Sequence, residues 1–352
     1  MITIRVDAHK RIHVALAVND DGQEAGQWRG PNSPKGWRSL ADWATDLGGP
    51  RQWGIEGAWG YGRGLAQLMV DAGEAVFEIN PRWTAFGRRR ARRAGKTDRL
   101  DARTVALLVR QDAPELPRVA PEDVTALLDL LTTQREGALA EATRLRNQIH
   151  AIMVQLDPEY HRHLPNLKSR AGLKALETYP SRGPSLQMAR AAAVRRIAGR
   201  LRLALDQAAE LAKEIEEHAE AHFAPLTRLC GVSLLTAGAL AGILGPGQRF
   251  TNDAELAAYA GVAPLEASLA GVVRHRLNRG GNRRLNAVLY MIALTQAHHS
   301  PQARTYLDRR VSEGKSRREA LRALKRFIVR AIWRLWQECQ TNDLKPLVEV
   351  AA

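Results

Sequence analysis

Ile2-Thr3-Ile4-Arg5-Val6-Asp7-Ala8 sets β-branched and apolar residues at every second position and closes on an acid. That alternation reads as a half-buried strand. His13–Val18 predicts a second strand, and Asn19-Asp20-Asp21-Gly22 a turn after it. Ser33-Pro34 then opens a helix with Trp37, Leu40, Ala41, Ala44 and Leu47 on one face. Gln52–Glu56 is a short strand, followed by a loop bearing Gly57, Gly60, Gly62 and Gly64. Leu65, Leu68, Met69 and Ala72 begin the next helix, and Ala75–Ile79 is a strand ended by Asn80-Pro81. A helix is expected from Thr97, a good N-cap, to the neighbourhood of Val109. Strands alternating with helices make residues 1–117 an α/β domain.

Beyond it the pattern turns helical. Over 118–224, Leu145, Ile149, Ile152 and Leu156 repeat at helical spacing. After a Pro/Gly-bearing break at Pro165–Pro184, the residues Val194, Ile197, Leu201, Ala204, Ala208, Leu211 and Ile215 step alternately by three and four. This heptad seam suits a helical hairpin, an intermolecular coiled coil or an amphipathic helix of a bundle. Over 225–352, the uncharged run Gly231–Gly247 is short for a membrane span and reads as a buried helix. Phe250–Ala260 predicts a helix, and Gly261-Val262-Ala263-Pro264 a turn. The basic stretch Arg274–Arg284 and an Arg-rich helical tail follow. The fold class is therefore α/β plus all-α.

The 352 residues carry 52 Lys and Arg against 37 Asp and Glu, a formal net charge of +15. Such an excess points to a polyanionic partner, nucleic acid above all. Two distant cysteines, Cys230 and Cys339, exclude a disulfide scaffold and a Cys-rich zinc module and suit a reducing cytosol. The early charges of Met1–Lys10 argue against a signal peptide, so the expectation is a cytoplasmic, nucleoid-associated protein with no membrane partner.

Four acids are candidates for chemistry. Asp7 and Glu56 each close a strand, where sites form in α/β folds. Asp98 and Asp101 stand at i, i+3 on one face of a helix. Convergent carboxylates without His or Cys suit Mg²⁺ or Mn²⁺, and two such ions serve phosphoryl transfer. Taken singly, each acid also has an ordinary structural use, as a helix-dipole residue or an ion-pair partner. Arg88, Arg89, Arg90, Arg92, Arg93 and Lys96 precede Asp98, and Arg274, Arg276, Arg279, Arg283 and Arg284 lie further on. Both clusters suit phosphate-backbone contacts.

The Val6–Lys10 segment, Ile55-Glu56-Gly57-Ala58-Trp59-Gly60-Tyr61-Gly62 and Lys96-Thr97-Asp98-Arg99-Leu100-Asp101-Ala102-Arg103 are joined by Arg249–Asn252, Ala258–Pro264 and Arg279-Gly280-Gly281-Asn282-Arg283. In that order, over essentially the whole chain, they resemble the DEDD transposases of the insertion sequence 110 family. These are Piv/MooV-type recombinases, some guided by a bridge RNA. The resemblance implies a RuvC-like, ribonuclease-H-type N-terminal domain, a coiled-coil middle and a mainly helical C-terminal transposase domain. It implies that Asp7, Glu56, Asp98 and Asp101 are the metal-binding carboxylates of a recombinase that moves an insertion sequence. A structured guide RNA from the element's non-coding end and a homodimer or tetramer are the implied partners.

The family's serine nucleophile, which forms a covalent link to DNA, usually precedes a glycine five residues beyond the turn proline. Five residues past Pro264 stands Leu269, with Ser268 one position earlier. Either Ser268 serves, or the chain is an impaired copy that still binds nucleic acid. A RuvC-like nuclease that hydrolyses branched DNA without a protein nucleophile is the alternative that Leu269 leaves untouched.

Overall fold

The computed structural model describes residues 1–79, 116–246, 249–263 and 280–340, and the backbone alone of 265–266 and 275–276. The expected helix from Thr97 lies outside the described residues. The chain divides into two compact units, Met1–Glu122 and Asp123–Leu347.

The first unit is built on five strands: β1 (Ile2–Ala8), β2 (Ile12–Val18), β3 (Glu24–Pro31), β4 (Arg51–Glu56) and β5 (Ala75–Ile79). Their order across the sheet is β3-β2-β1-β4-β5. β1 to β3 form an antiparallel meander, while β4 and β5 run parallel to β1. Each parallel connection needs a crossover. Helix α1 (Pro34–Asp46) lies between β3 and β4, and α2 (Arg63–Asp71) joins β4 to β5. Ser33 caps α1 by accepting from the Gly36 amide, with Pro34 at the first turn.

Side chains alternate across a strand. One face of the sheet therefore presents Ile4, Val6, Ala15, Trp53, Ile55 and Val76 to Leu40, Ala44, Leu65, Ala66 and Met69 of the two helices. The other face carries Thr3, Arg5 and Asp7 on β1 and Gln52 and Glu56 on β4. Strand β3 was not among the expected strands. It is an edge strand of exposed and half-buried residues, so no apolar run announces it.

In the second unit, α3 (Val124–Leu156) and α6 (Ser185–Phe223) form a hairpin, with short helices α4 (Tyr160–His163) and α5 (Arg170–Glu177) in the connection. The early part of α3, Val124 to Leu131, shares a core with Leu211 to Phe223. Its later part, Ala142 to Met153, packs with Val194 to Ala204. The helices are thus antiparallel, and the predicted seam on α6 packs within the chain.

Helix α7 (Leu234–Leu244) is the apolar run, buried as expected. It lies so close to α3 that a Cβ on Gly242 would stand 2.6 Å from the Asp129 amide nitrogen. Helices α8 (Asp253–Tyr259), α9 (Arg283–His299), α10 (Pro301–Ser312) and α11 (Arg317–Gln340) complete the unit, with a two-stranded ribbon of β6 (Leu265–Glu266) and β7 (His275–Arg276). Helix α8 begins three residues later than Phe250 because Asn252 caps it, accepting from the Glu255 amide at 2.9 Å. Phe223 and Trp336 stack with centroids 5.3 Å apart, tying α6 to α11. Among the described residues no helix is long and apolar enough to cross a membrane.

Candidate functional site

Asp7 and Glu56 are register partners on the parallel strands β1 and β4. Because the strands are parallel, both acids stand at the same, C-terminal edge of the sheet. Arg5, two residues back on the same face, donates to Glu56 Oε2 at 3.1 Å. His9 Nε2 lies 3.4 Å from Asp7 Oδ1. Alternation alone places Arg5 beside this edge, a signal the sequence reading did not use. Arg5 Nε is buried and has no partner among the described residues.

Two loops frame the acids, and Asn32 ties them together. Its Nδ2 donates to the carbonyls of Tyr61 at 3.1 Å and His9 at 3.3 Å, while its Oδ1 accepts from Trp37 Nε1 at 2.8 Å. The loop after Glu56 folds back onto the strand ends: a Cβ on Gly62 would lie 2.6 Å from Ile55 Cγ2 and 3.1 Å from Ala8 Cβ. That close approach is the physical need behind this glycine.

Glu78, on the helix-facing side of β5, lies near the amides of Gly57, Ala58 and Trp59 in the same loop, which favour its charged form, while its Oε2 is buried without a hydrogen-bond partner among the described residues. Burial pushes its carboxyl up to about 7 despite those amides. The imidazole of His13 is fully buried, and burial holds its pKa below the ordinary histidine value, which favours the neutral ring. Trp59 and Tyr61 are exposed near Glu56.

Asp98 and Asp101 lie outside the described residues, as do Arg88, Arg89, Arg90, Arg92, Arg93 and Lys96. Among the described residues no group of three or more His, Cys, Asp or Glu is placed to hold a metal ion. Asp7 and Glu56 supply oxygen donors at one sheet edge, and this donor set fits a hard divalent cation.

In the second unit, the residues flanking 264–279 are knitted together. Asn282 donates its backbone amide to the Tyr259 carbonyl and its side-chain amide to the Tyr259 hydroxyl, both at 2.7 Å. Its Oδ1 caps α9 by accepting from the Leu285 amide at 3.0 Å. Arg249 lies 4.6 Å from the Tyr259 ring centroid and donates to the carbonyl of Ile243, near the end of α7. The Arg249–Asn252, Ala258–Pro264 and Arg279–Arg283 motifs thus brace one another across α8 and α9. Ser268, Leu269, Arg274 and Arg279 lie outside the described residues, and Arg276 is described by its backbone alone.

Arg283 and Arg284 part company. Arg283 is exposed. Arg284 is half-buried and donates to Asp129 Oδ1 at 2.8 Å, with Glu136 Oε2 at 3.1 Å. Its guanidinium is already committed to two acids of α3.

The turn Gly261–Ala263 and helices α9, α10 and α11 border a cavity of about 1050 Å³. Eight Lys and Arg side chains line it against one acid, Glu319, among the described residues. Ser316 donates its amide and its hydroxyl to Glu319 Oε2 at 2.9 and 2.8 Å, holding that carboxyl below its usual range. Lys325 is 7% exposed and donates to Asn286 Oδ1 at 2.8 Å. Burial first, then the neighbouring Arg322, push its ammonium below the ordinary lysine range.

Comparison with known proteins matches residues 4–158 to the DEDD transposase model of the IS110 type and residues 224–308 to the transposase IS116/IS110/IS902 family. The chain is 30% identical to the 43.6 kDa protein of insertion element IS110 from Streptomyces coelicolor, over 66% of this chain and 68% of that one. The chain belongs to the IS110 family of transposases. It is also 29% identical to the 42 kDa protein of insertion element IS900 from Mycobacterium paratuberculosis, over 95% of each chain. The 44.8 kDa protein of insertion element IS116 from Streptomyces clavuligerus is 24% identical, over 96% of this chain and 95% of that one. The enzyme class is therefore DNA transposase/recombinase. From Ile4 to Glu122 the first unit is covered by the DEDD model, whose match runs on through α3, and the braced motifs around α8 and α9 lie within the second match.

Proposed function

We propose that this transposase cleaves and exchanges DNA strands to move an insertion sequence, using a RuvC-like domain and a protein nucleophile. The observation that carries the reading is the pairing of Asp7 with Glu56 on adjacent parallel strands, at the shared edge of a sheet ordered β3-β2-β1-β4-β5. This order, with three antiparallel strands and two parallel ones, suits the ribonuclease-H-type fold.

In this reading Asp7 and Glu56 join Asp98 and Asp101 in holding Mg²⁺ or Mn²⁺. Bound there, the ion supplies Lewis acidity toward a phosphate oxygen. Arg5 screens Glu56 and keeps the two acids at one edge without mutual repulsion. Asn32 and the Gly57–Gly62 loop fix the strand ends so that the carboxylates are preorganised. With the Arg-rich tail, the basic clusters at 88–96 and 274–284, apart from Arg284, grip the nucleic acid, including a structured guide RNA. Ser268 Oγ attacks a DNA phosphate and displaces the adjoining deoxyribose hydroxyl as the leaving group; within a homo-oligomer a hydroxyl end of a second strand then attacks that phosphorus and releases the serine. Tyr259 and Asn282 brace α8 against the start of α9, on either side of that stretch of sequence.

A second reading is favoured by Leu269, which occupies the position where the family usually has its serine. In it the chain binds nucleic acid but no longer exchanges strands, or cuts by hydrolysis alone.

The test is a junction assay in cells. A plasmid carries the gene with its native flanks, and amplification across the excised circular junction reports recombination. Wild type, Asp7→Ala and Leu269→Ser are compared. A wild-type junction that Asp7→Ala lacks supports the first reading and Ser268. A junction from Leu269→Ser alone supports the second. A junction that persists in Asp7→Ala overturns the carboxylate site.

A further inference from the structure

The cavity beside Gly261–Ala263 has an unusual wall. Lys325 is more than nine-tenths buried, yet its one hydrogen-bond partner among the described residues is a neutral amide, Asn286 Oδ1 at 2.8 Å. An ammonium has three N–H groups, and burying it without a carboxylate partner is costly. Asn286 is itself held in place, donating to the Ala260 carbonyl at 2.8 Å. Arg310 differs from it, because its guanidinium donates to Glu313 Oε2 at 2.6 Å and only its Nε is left buried without a partner among the described residues. The nearby acid, Glu319, is engaged by Ser316 and faces seven other cationic side chains besides Lys325 around the cavity. Nothing in this arrangement neutralises the lysine from within the described residues. A fold that tolerates such a charge gains from an anion that arrives from outside.

The shape of the cavity says which anion. About 1050 Å³ is far more than a free phosphate ion fills. Tyr290 stands on its wall and is about half exposed, offering a ring face to a base, whereas Phe327 already carries Arg330 over its ring and Tyr306 against it. Cations lining the cavity beside an open aromatic face suit a nucleotide strand, its backbone on the one and a base on the other.

We propose that Lys325 binds a backbone phosphate of the DNA strand on which the transposase acts. The inference rests on the DNA-cleaving reading above. Asn286 aims the ammonium, and Arg326 and Arg283 flank the same phosphate path along α11 and α9. The commitment is to DNA because DNA is what a transposase of this family rearranges.

The experiment uses the full chain and a labelled single-stranded DNA, with affinity measured against salt concentration and thermal unfolding measured in parallel. The variants are Lys325→Met, Lys325→Gln (which keeps a polar group facing Asn286) and, as a charge control, Lys213→Met on the exposed side of α6. Removing one phosphate contact is expected to weaken DNA binding about tenfold and to make the log–log salt slope shallower by about one. Removing a buried, unpaired charge leaves the unfolding temperature unchanged or raises it. Lys213→Met keeps wild-type affinity to within about twofold.

Wild-type affinity and salt slope in both Lys325 variants would overturn the inference, whatever their unfolding temperatures. A fall in unfolding temperature without any change in binding would assign Lys325 a structural role instead. An RNA oligonucleotide of the same sequence that loses affinity in the variants, while DNA does not, would overturn the commitment to DNA. Wild-type protein that binds no DNA at all would remove the parent reading together with this one. Wild-type binding with unaffected variants removes this one alone.

Discussion

Gly261 and Gly281 pass backbone against backbone: a Cβ added to Gly281 would lie 2.3 Å from the Gly261 Cα. Gly261 itself has φ of +68°, a conformation that side-chain-bearing residues rarely adopt. The contact forms a neck between the turn after α8 and the start of α9, and Tyr259 and Asn282 bolt it.

Gly281→Ala should therefore force the neck apart. The expected cost is about 1–3 kcal/mol, the range for overpacking a tight site, because the atoms it meets are backbone and cannot rotate away. Thermal unfolding of the purified protein should show the drop. Junction formation should fall with it, since α8 and α9 border in sequence the stretch that holds Ser268. Wild-type stability in the Gly281→Ala protein would mean that the neck opens freely.

Much of the fold can be read from the sequence because the physics is local. β1 announces itself by alternation, β2, β4 and β5 as short apolar runs between turns, and α6 by its three-four spacing. β3 does not, since an edge strand with five of its eight residues exposed has no apolar run to find. The short helix α5 hides in a segment rich in Pro and Gly, where Ser169 caps it. Asp7 and Glu56 are legible as strand-end acids, but their in-register pairing is a property of the sheet. Arg284 shows the limit most clearly. It reads as one more phosphate contact in a basic run, yet its partner Asp129 lies 155 residues away in sequence.

That pairing separates two neighbouring arginines. Arg284→Ala leaves Asp129 and Glu136 facing each other across a half-buried site, so stability should fall by about 1–3 kcal/mol. Arg283→Ala removes an exposed guanidinium, and stability should stay within about 0.5 kcal/mol. DNA binding should respond the other way round, with Arg283→Ala making the salt slope shallower by about one. Chemical denaturation and salt-dependent binding on the same two proteins check both halves. Equal behaviour of the two variants would refute the division of labour.

The α3–α6 hairpin offers a contrast within one helix. Leu201 is fully buried against α3, whereas Leu203, two residues on, is 62% exposed. Leu201→Ala should cost about 2–5 kcal/mol, the range for a buried leucine whose cavity cannot collapse. Leu203→Ala should change stability by less than about 0.5 kcal/mol in the isolated chain. If Leu203→Ala also lowers stability, and does so more at higher protein concentration, the exposed face of α6 is buried against a second copy. Denaturation at two protein concentrations distinguishes these outcomes.

Glu78 makes the first unit sensitive to pH in a direction opposite to that of an ordinary carboxylate. Burial raises its pKa from 4.5 to about 7. The folded state therefore holds the proton more tightly than the unfolded chain does. The stabilising contribution is fully present below pH 4.5 and is lost as pH rises toward and through about 7. Glu78→Gln cannot titrate. The stability of wild type relative to that variant should thus decline between pH 4.5 and 8, by about 1–3 kcal/mol after allowance for partial exposure. Since Glu78 lies near the amides of the Gly57–Trp59 loop, the change should be felt next to Glu56, and hydrogen exchange of those three amides should quicken in the variant. A wild-type-minus-variant difference that is flat with pH, or that grows as pH rises, would show that the carboxyl is solvated and that the loop is held by other means.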